Sequence, residues 1–226
     1  RGVHYLSAVA TERYENARDA VRRFLNAEHA DEIIFTKGGT EAINLVAASF
    51  LGPKIESGDE IVVTVMEHHS NIVPWHFLRE RAGAVLKWVD VAEDGSLGVE
   101  AVARALTPRT KMLAITHMSN VLGTRVPLKE IVAAAHARGI PVLADGCQGA
   151  VHGVVNVRDL DVDFYAVTGH KLYGPTGVGA LYGKRAHLKT MRPYQGGGEM
   201  IREVTRDKRS EEHTSELQSH LNLVCR

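Results

Sequence analysis

Five short stretches of this 226-residue sequence hold side chains of the kind that do chemistry. In AVTGHKLYGPTGVG (166–179) an apolar run ends at Thr168, and His170 and Lys171 stand between it and a group of glycines. A lysine desolvated among polar neighbours can become a neutral amine that attacks a carbonyl or carries a proton. The plainer reading is a cation that neutralises a phosphate. In VLADGCQGA (142–150) Asp145 closes another apolar run, and Gln148 follows in the loop. A carboxylate there is costly unless it meets a positive partner. The plainer reading is a cap on the next turn.

In TKGGTEAINL (36–45) two glycines precede a helical pattern that opens near Thr40. Free N–H groups at a helix start attract phosphate, glycine allows close approach, and Thr40 adds a hydroxyl. Thr40 as an ordinary N-cap explains the same residues equally well. In MEHHSNIVPW (66–75) a histidine can stack on a flat cofactor or exchange a proton. Two loop histidines with capping by Ser70 or Asn71 are the stronger reading of that stretch alone. In THMSNVLGT (116–124) Asn120 follows a buried run and Gly123 favours a turn. Asn120 can bond a ligand or only its own loop.

Taken together the stretches are more specific. A phosphate-binding helix start, an acid after one strand and a lysine after the next are what pyridoxal 5'-phosphate requires. The lysine amine forms a Schiff base with its aldehyde, and the acid keeps its pyridine nitrogen protonated. The charged ring then draws electrons from a substrate Cα. Thr168 and His170 flank the lysine with further polar groups.

Such residues need a scaffold that sets them side by side. Strands are expected at EIIFT (32–36), EIVVTV (60–65), AVLKWVDV (84–91), KMLAITH (111–117), IPVLAD (140–145), DFYAVTG (163–169) and VGALYG (178–183). Helices are expected at 41–50, 72–81, 98–105 and 128–138. This alternation predicts an α/β fold: three layers, α/β/α, around a mostly parallel seven-stranded sheet. Parallel strands are covered on both faces, which accounts for apolar runs without alternation. Ligands of such sheets lie beyond the carboxyl ends of the strands, where the five stretches fall.

Composition narrows the function classes. Lys plus Arg and Asp plus Glu both number 27, so no net field points to nucleic acid or an anionic membrane. No apolar run approaches the roughly 20 residues that span a bilayer. RGVHYLS at the start is neither a signal nor a transit peptide, and without an initiating Met the chain is expected to begin inside a longer protein. Two cysteines make no disulfide framework, so a cytoplasmic location is expected. The twelve histidines are scattered, and EHH (67–69) has no partner at zinc-ligand spacing, so no metal is expected. RSEEHTSELQSHLNLVCR (209–226) breaks the pattern. It is similar to a translated sequencing-adaptor read-through and is expected to be a strandless, non-native tail on a domain of residues 1–208.

The motifs RGVHYLSAVAT, TKGGTEAINLVA, EHHSNIVPW, THMSNVLGT, DGCQGAVH, DFYAVTGHKLYGPTGVGALYG and GGGEMI follow one another in an order that resembles a known family. They look like the large domain of SUF-type (group II) cysteine desulfurases, within the class V aminotransferase fold (fold type I). The resemblance covers residue 1 to about Thr205. It implies that Lys171 is the Schiff-base lysine and proton shuttle, that Asp145 pairs with the pyridine nitrogen, and that Gln148 bonds the phenolic oxygen. It implies that His68 stacks on the ring and transfers protons, and that Asn120 lies beside the cofactor or the substrate carboxylate. Thr40, the backbone near Gly39, Thr168 and His170 are implied phosphate contacts. The family often carries Thr at position 39 and Ser at 168; Gly39 removes one phosphate donor, while Thr168 keeps a hydroxyl.

The implied reaction takes L-cysteine to L-alanine and passes sulfur, through a cysteine persulfide, to an acceptor protein for iron–sulfur assembly. A homodimer is implied for the intact protein. The family's nucleophilic cysteine, its substrate-carboxylate arginine and its small domain belong to later sequence. Cys147 occupies a position where the family has a small residue. The alternatives are a selenocysteine lyase or another class V enzyme, and a catalytically inactive cofactor-binding fragment.

Overall fold

The computed structural model describes residues 4–196, 201–204 and 209–211. Its elements run α1 (Tyr5–Leu25), β1 (Ile33–Thr36), α2 (Gly39–Leu45), β2 (Glu60–Thr64), α3 (Val73–Ala82), β3 (Val85–Val89), α4 (Val99–Ala105) and β4 (Thr110–Thr116). They continue with α5 (Leu128–His136), β5 (Val142–Asp145), α6 (Val157–Leu160), β6 (Phe164–Thr168), β7 (Gly179–Gly183), α7 (Arg185–Leu188), β8 (Ile201–Val204) and β9 (Arg209–Glu211).

Strands β1 to β7 form one sheet in the order β1-β7-β6-β5-β4-β2-β3. The pairs β2–β3, β2–β4, β4–β5 and β5–β6 are parallel. β7 alone runs against both its neighbours, β1 and β6. The seven expected strands are these seven, within two residues at each end. The inner strands are buried except at Lys111 of β4, and successive side chains enter two separate cores. Leu113, Ile115, Val142, Ala144, Tyr165 and Val167 point to one face and pack with Val102 of α4 and Ile131, Val132 and Ala135 of α5. Met112, Ala114, Leu143, Phe164 and Ala166 point to the other and pack with Ile43 and Leu45 of α2 and Trp75 and Leu78 of α3. The period-2 alternation of a strand thus builds the three layers. Each fully buried Leu or Ile contributes about 1.5–3 kcal/mol.

Helix α1 is not foreseen by the sequence pattern. Its only buried residues are Arg18 and Leu25, so no apolar stripe announces it. Ion pairs at helical spacing support it instead: Glu15–Arg18, Asp19–Arg22 and Asp19–Arg23. Arg18 docks the helix on the sheet, donating from Nη1 to the Ile33 carbonyl at 2.5 Å between the Tyr14 and Phe35 rings. The short helices α6 and α7 are also unforeseen. The expected helix at 41–50 is α2 followed by a π-helical segment, Val46–Leu51. The expectation of no strand in 209–226 is corrected by β9, which pairs antiparallel with β8. A ladder uses backbone groups, so a polar segment joins one when a partner strand lies alongside. The remainder of the expected tail, and residues 197–200 of the GGGEMI motif, lie outside the described residues.

β1, β2, β4, β5 and β6 point the same way, so Thr36, Thr64, Thr116, Asp145 and Thr168 all end at one edge of the sheet.

Candidate active site

Asp145 is the last residue of β5, level with Thr116 of β4 and Ala166 of β6. It is only 4% exposed. Its Oδ1 accepts the Cys147 amide at 3.0 Å, so it does cap its own loop. Among the described residues no lysine, arginine or histidine pairs with this buried carboxylate. Gly146 follows because the chain presses on Tyr165: a Cβ there would lie 1.9 Å from the ring.

Lys171 lies one strand further on, in the 3-10 turn Gly169–Leu172 after β6. It is half-buried, and Tyr173, left-handed at φ 60°, ends the turn. The turn closes through hydrogen bonds from the Gly174 amide to the Gly169 carbonyl and from the Gly169 amide to the Val178 carbonyl. Lys171 and Asp145 open onto one cleft, of about 180 Å³ and in part open to solvent. His68, Thr116, Met118, Asn120, Cys147 and Gln148 complete its lining.

His68 begins the turn His69–Asn71 and caps it, since Ser70 donates its amide to His68 Nδ1 at 3.2 Å. The Ser70 hydroxyl lies 2.8 Å from the same nitrogen. With Nδ1 accepting, the proton of a neutral ring sits on Nε2. The expected caps, Ser70 and Asn71, are therefore replaced by His68 itself. Asn120 is exposed on the loop after β4, which Ser119 shapes by accepting the Val121 and Leu122 amides on Oγ.

Beside this cleft lies the start of α2. The N-cap is Gly38, not Thr40, and no side chain caps it, so the first-turn amides are open to another acceptor. Thr40 is exposed. Gly39 is buried against the cleft wall: a Cβ on it would lie 2.5 Å from Cys147 Sγ and 3.9 Å from Thr168 Cβ. Thr168 Oγ1 is 3.1 Å from His170 Nδ1. So the structure brings His68, Asn120, Asp145, Gln148 and Lys171 together in the cleft and sets Gly39, Thr168 and His170 along its border. Thr40 is connected to it only as the neighbour of Gly39.

Sequence reasoning misses three features. Thr116 and Met118 line the cleft, and only their place at a strand end would have signalled it. Glu67 is a buried carboxyl pushed up to about 7 by desolvation, and no residue type reveals burial in advance. Cys147 reads in the sequence only as an unusual neighbour of Gln148. Burial, and then Asp145, raise its thiol well above the ordinary range and keep it protonated.

The donor set fits pyridoxal phosphate. A buried acid without a cation faces the same space as a half-buried lysine, and uncapped helix amides border it. Residues 1–220 match the family model described as aminotransferase class-V. A "Probable cysteine desulfurase" of Halalkalibacterium halodurans is 51% identical over 201 residues, 89% of this chain and 50% of that protein. The crystal structure of the cysteine desulfurase CsdA from Escherichia coli superposes with a TM-score of 0.87 at 39% identity, over 99% of this chain and 60% of that one. A C-DES mutant with glycine covalently linked to its PLP cofactor superposes at 0.80 with 25% identity, over 99% of this chain and 63% of that one. The chain thus spans about half the length of the curated relatives it matches. A match running over nearly the whole chain, on a sheet of this order, establishes its kinship: it belongs to the aminotransferase class-V family.

Proposed function

We propose that this chain is the cofactor-binding large domain of a pyridoxal-phosphate-dependent cysteine desulfurase of the SUF type. The observation that carries the reading is the common cleft of Asp145 and Lys171. Support comes from relatives printed as cysteine desulfurases and from a structural neighbour printed with PLP.

In this reading Lys171 holds the aldehyde end, Asp145 the ring nitrogen, Gln148 the phenolic oxygen and His68 a ring face. The phosphate falls to the α2 amides near Gly39, with Thr40, Thr168 and His170. When bound, pyridoxal phosphate supplies a ring that accepts electrons from a substrate Cα. The chain's own residues supply the rest. Asp145, shielded from water, presents its carboxyl group to the cleft. Lys171 Nζ takes and returns a proton. His68 Nε2 offers a second proton, its tautomer set by Ser70. Asn120 is available to orient a substrate carboxylate.

The substrate is L-cysteine, the product L-alanine, and the sulfur goes to an acceptor protein of the intact, homodimeric parent. Cys147 is not the sulfur carrier, because its buried thiol resists ionisation. Residues 1–208 make up the cofactor-binding domain, and Arg209–Glu211 pair with its strand β8. The test is visible absorbance on adding pyridoxal phosphate. The chain is expected to acquire a band that Lys171→Ala lacks, and to release little or no sulfide from cysteine. A band unchanged in Lys171→Ala would remove Lys171 from its role.

A further inference from the structure

The cleft has two walls that meet through one side chain. Glu67 directly precedes His68 and is 7% exposed. Its carboxylate gathers three donors: the Thr64 hydroxyl to Oε1 at 2.6 Å, the Thr116 amide to Oε1 at 2.9 Å and the Asn71 amide group to Oε2 at 2.7 Å. Asn71 in turn accepts the Trp75 indole N–H at 3.2 Å. Asn71, Thr64 and Trp75 are fully buried, and Thr116 nearly so. The Thr116 bond is the long-range one, because it joins the β2 loop to the end of β4. There Thr116 stands in register with Asp145. Glu67 therefore ties the wall that carries His68 to the wall that carries Asp145.

A carboxylate is the right group for that place. Thr116 and Asn71 present N–H donors, which cannot accept, and a side chain with two acceptor oxygens satisfies both at once. An amide cannot. If Gln replaced Glu67, its oxygen could serve Thr64 and Thr116, but its NH₂ would meet the NH₂ of Asn71. Turning Asn71 over would set its NH₂ against the Trp75 N–H. One donor–donor conflict persists in either arrangement.

We propose that Glu67 is a positioning residue for the cofactor cleft: its carboxylate locks the His68 loop onto the strand end beside Asp145. The proposal rests on the cofactor reading above. Its burial and the neighbouring Asp145 charge both raise the carboxyl towards neutrality, so the group is held at a cost that three donors offset only in part. A side chain needed only to fill space would not bring a carboxyl here.

The test compares the full chain with Glu67→Gln and with Glu67→Gln/Asn71→Asp. In the double variant the carboxylate introduced at position 71 would accept from both the amide introduced at position 67 and the Trp75 indole. Every bond then regains a donor and an acceptor, while the charge moves one link away from Asp145. Two readouts are taken: the NMR signals of the Trp75 indole N–H and the His68 ring, and the affinity for pyridoxal phosphate by fluorescence titration. Glu67→Gln is expected to shift both sets of signals and to weaken binding about tenfold. The double variant is expected to restore the signals and most of the affinity. Unchanged His68 signals or unchanged affinity in Glu67→Gln would overturn the proposal. So would a folded double variant whose His68 signals stay displaced. If Glu67→Gln alone does not fold, the double variant carries the comparison with the parent. A parent that binds no pyridoxal phosphate would refute the proposed function instead, and the indole and His68 signals would still decide whether Glu67 holds the loop.

Discussion

Cys147 sits at the meeting point of the site's two halves. Its amide fixes Asp145 Oδ1, and its sulfur occupies the space that any side chain on Gly39 would enter. The two positions are therefore sterically linked. Gly39→Thr is expected to destabilise the fold by about 1–3 kcal/mol, the usual cost of overpacking. Adding Cys147→Ala should recover most of that loss, measured as urea midpoints in a double-mutant cycle. Equal losses in the single and double variants would dissociate the pair. The thiol itself should be inert. With its ionisation opposed by burial and by Asp145, it is expected to react with Ellman's reagent far more slowly in the folded chain than in urea. Rapid reaction of the folded protein at Cys147 would contradict that environment.

At the scale of elements, legibility follows burial pattern. The inner sheet strands are readable because strands covered on both faces appear as short apolar runs, as in VLAD of β5. The reversed direction of β7 is not readable, since antiparallel and parallel strands that are equally buried share one composition. α1 is hidden because its inner face is a guanidinium and its outer faces are ion pairs. At the start of α2 the two readings of Thr40 separate only in the folded chain. Gly38 at φ 155° takes the cap position, which leaves the amides without a side-chain partner. The acid and the lysine are legible as residues because each closes or follows an apolar run. Glu67 is not: a carboxyl just beyond a strand is ordinarily solvated, and only the fold buries it.

For the whole molecule, two buried groups at the same end of the sheet set opposing pH dependences. The Glu67 carboxyl is raised from 4.5 to about 7 by burial, so the folded state binds the proton more tightly. Its contribution is present below pH 4.5 and is lost as pH rises to about 7. His117, bonded to the Tyr165 hydroxyl at 2.7 Å, is lowered from 6.5 to about 4 by burial. Its contribution is present above pH 6.5 and is lost as pH falls to about 4. Each is worth roughly 3 kcal/mol across its window. Between pH 4.5 and 6.5 the two slopes cancel, and these groups together should leave stability nearly flat. Glu67→Gln should leave a stability that climbs with pH there, and His117→Asn one that falls, both read from urea midpoints. Slopes of the same sign in the two variants would contradict the assignment.

The most direct test of the account reads Lys171 and Asp145 on one molecule. The chain is incubated with pyridoxal phosphate, reduced with borohydride, digested and mapped by mass spectrometry. A single dominant pyridoxyl-lysine at Lys171 is expected, with a marked loss of that label in Asp145→Ala. Label spread over surface lysines, or label at Lys171 that is indifferent to Asp145, would contradict it.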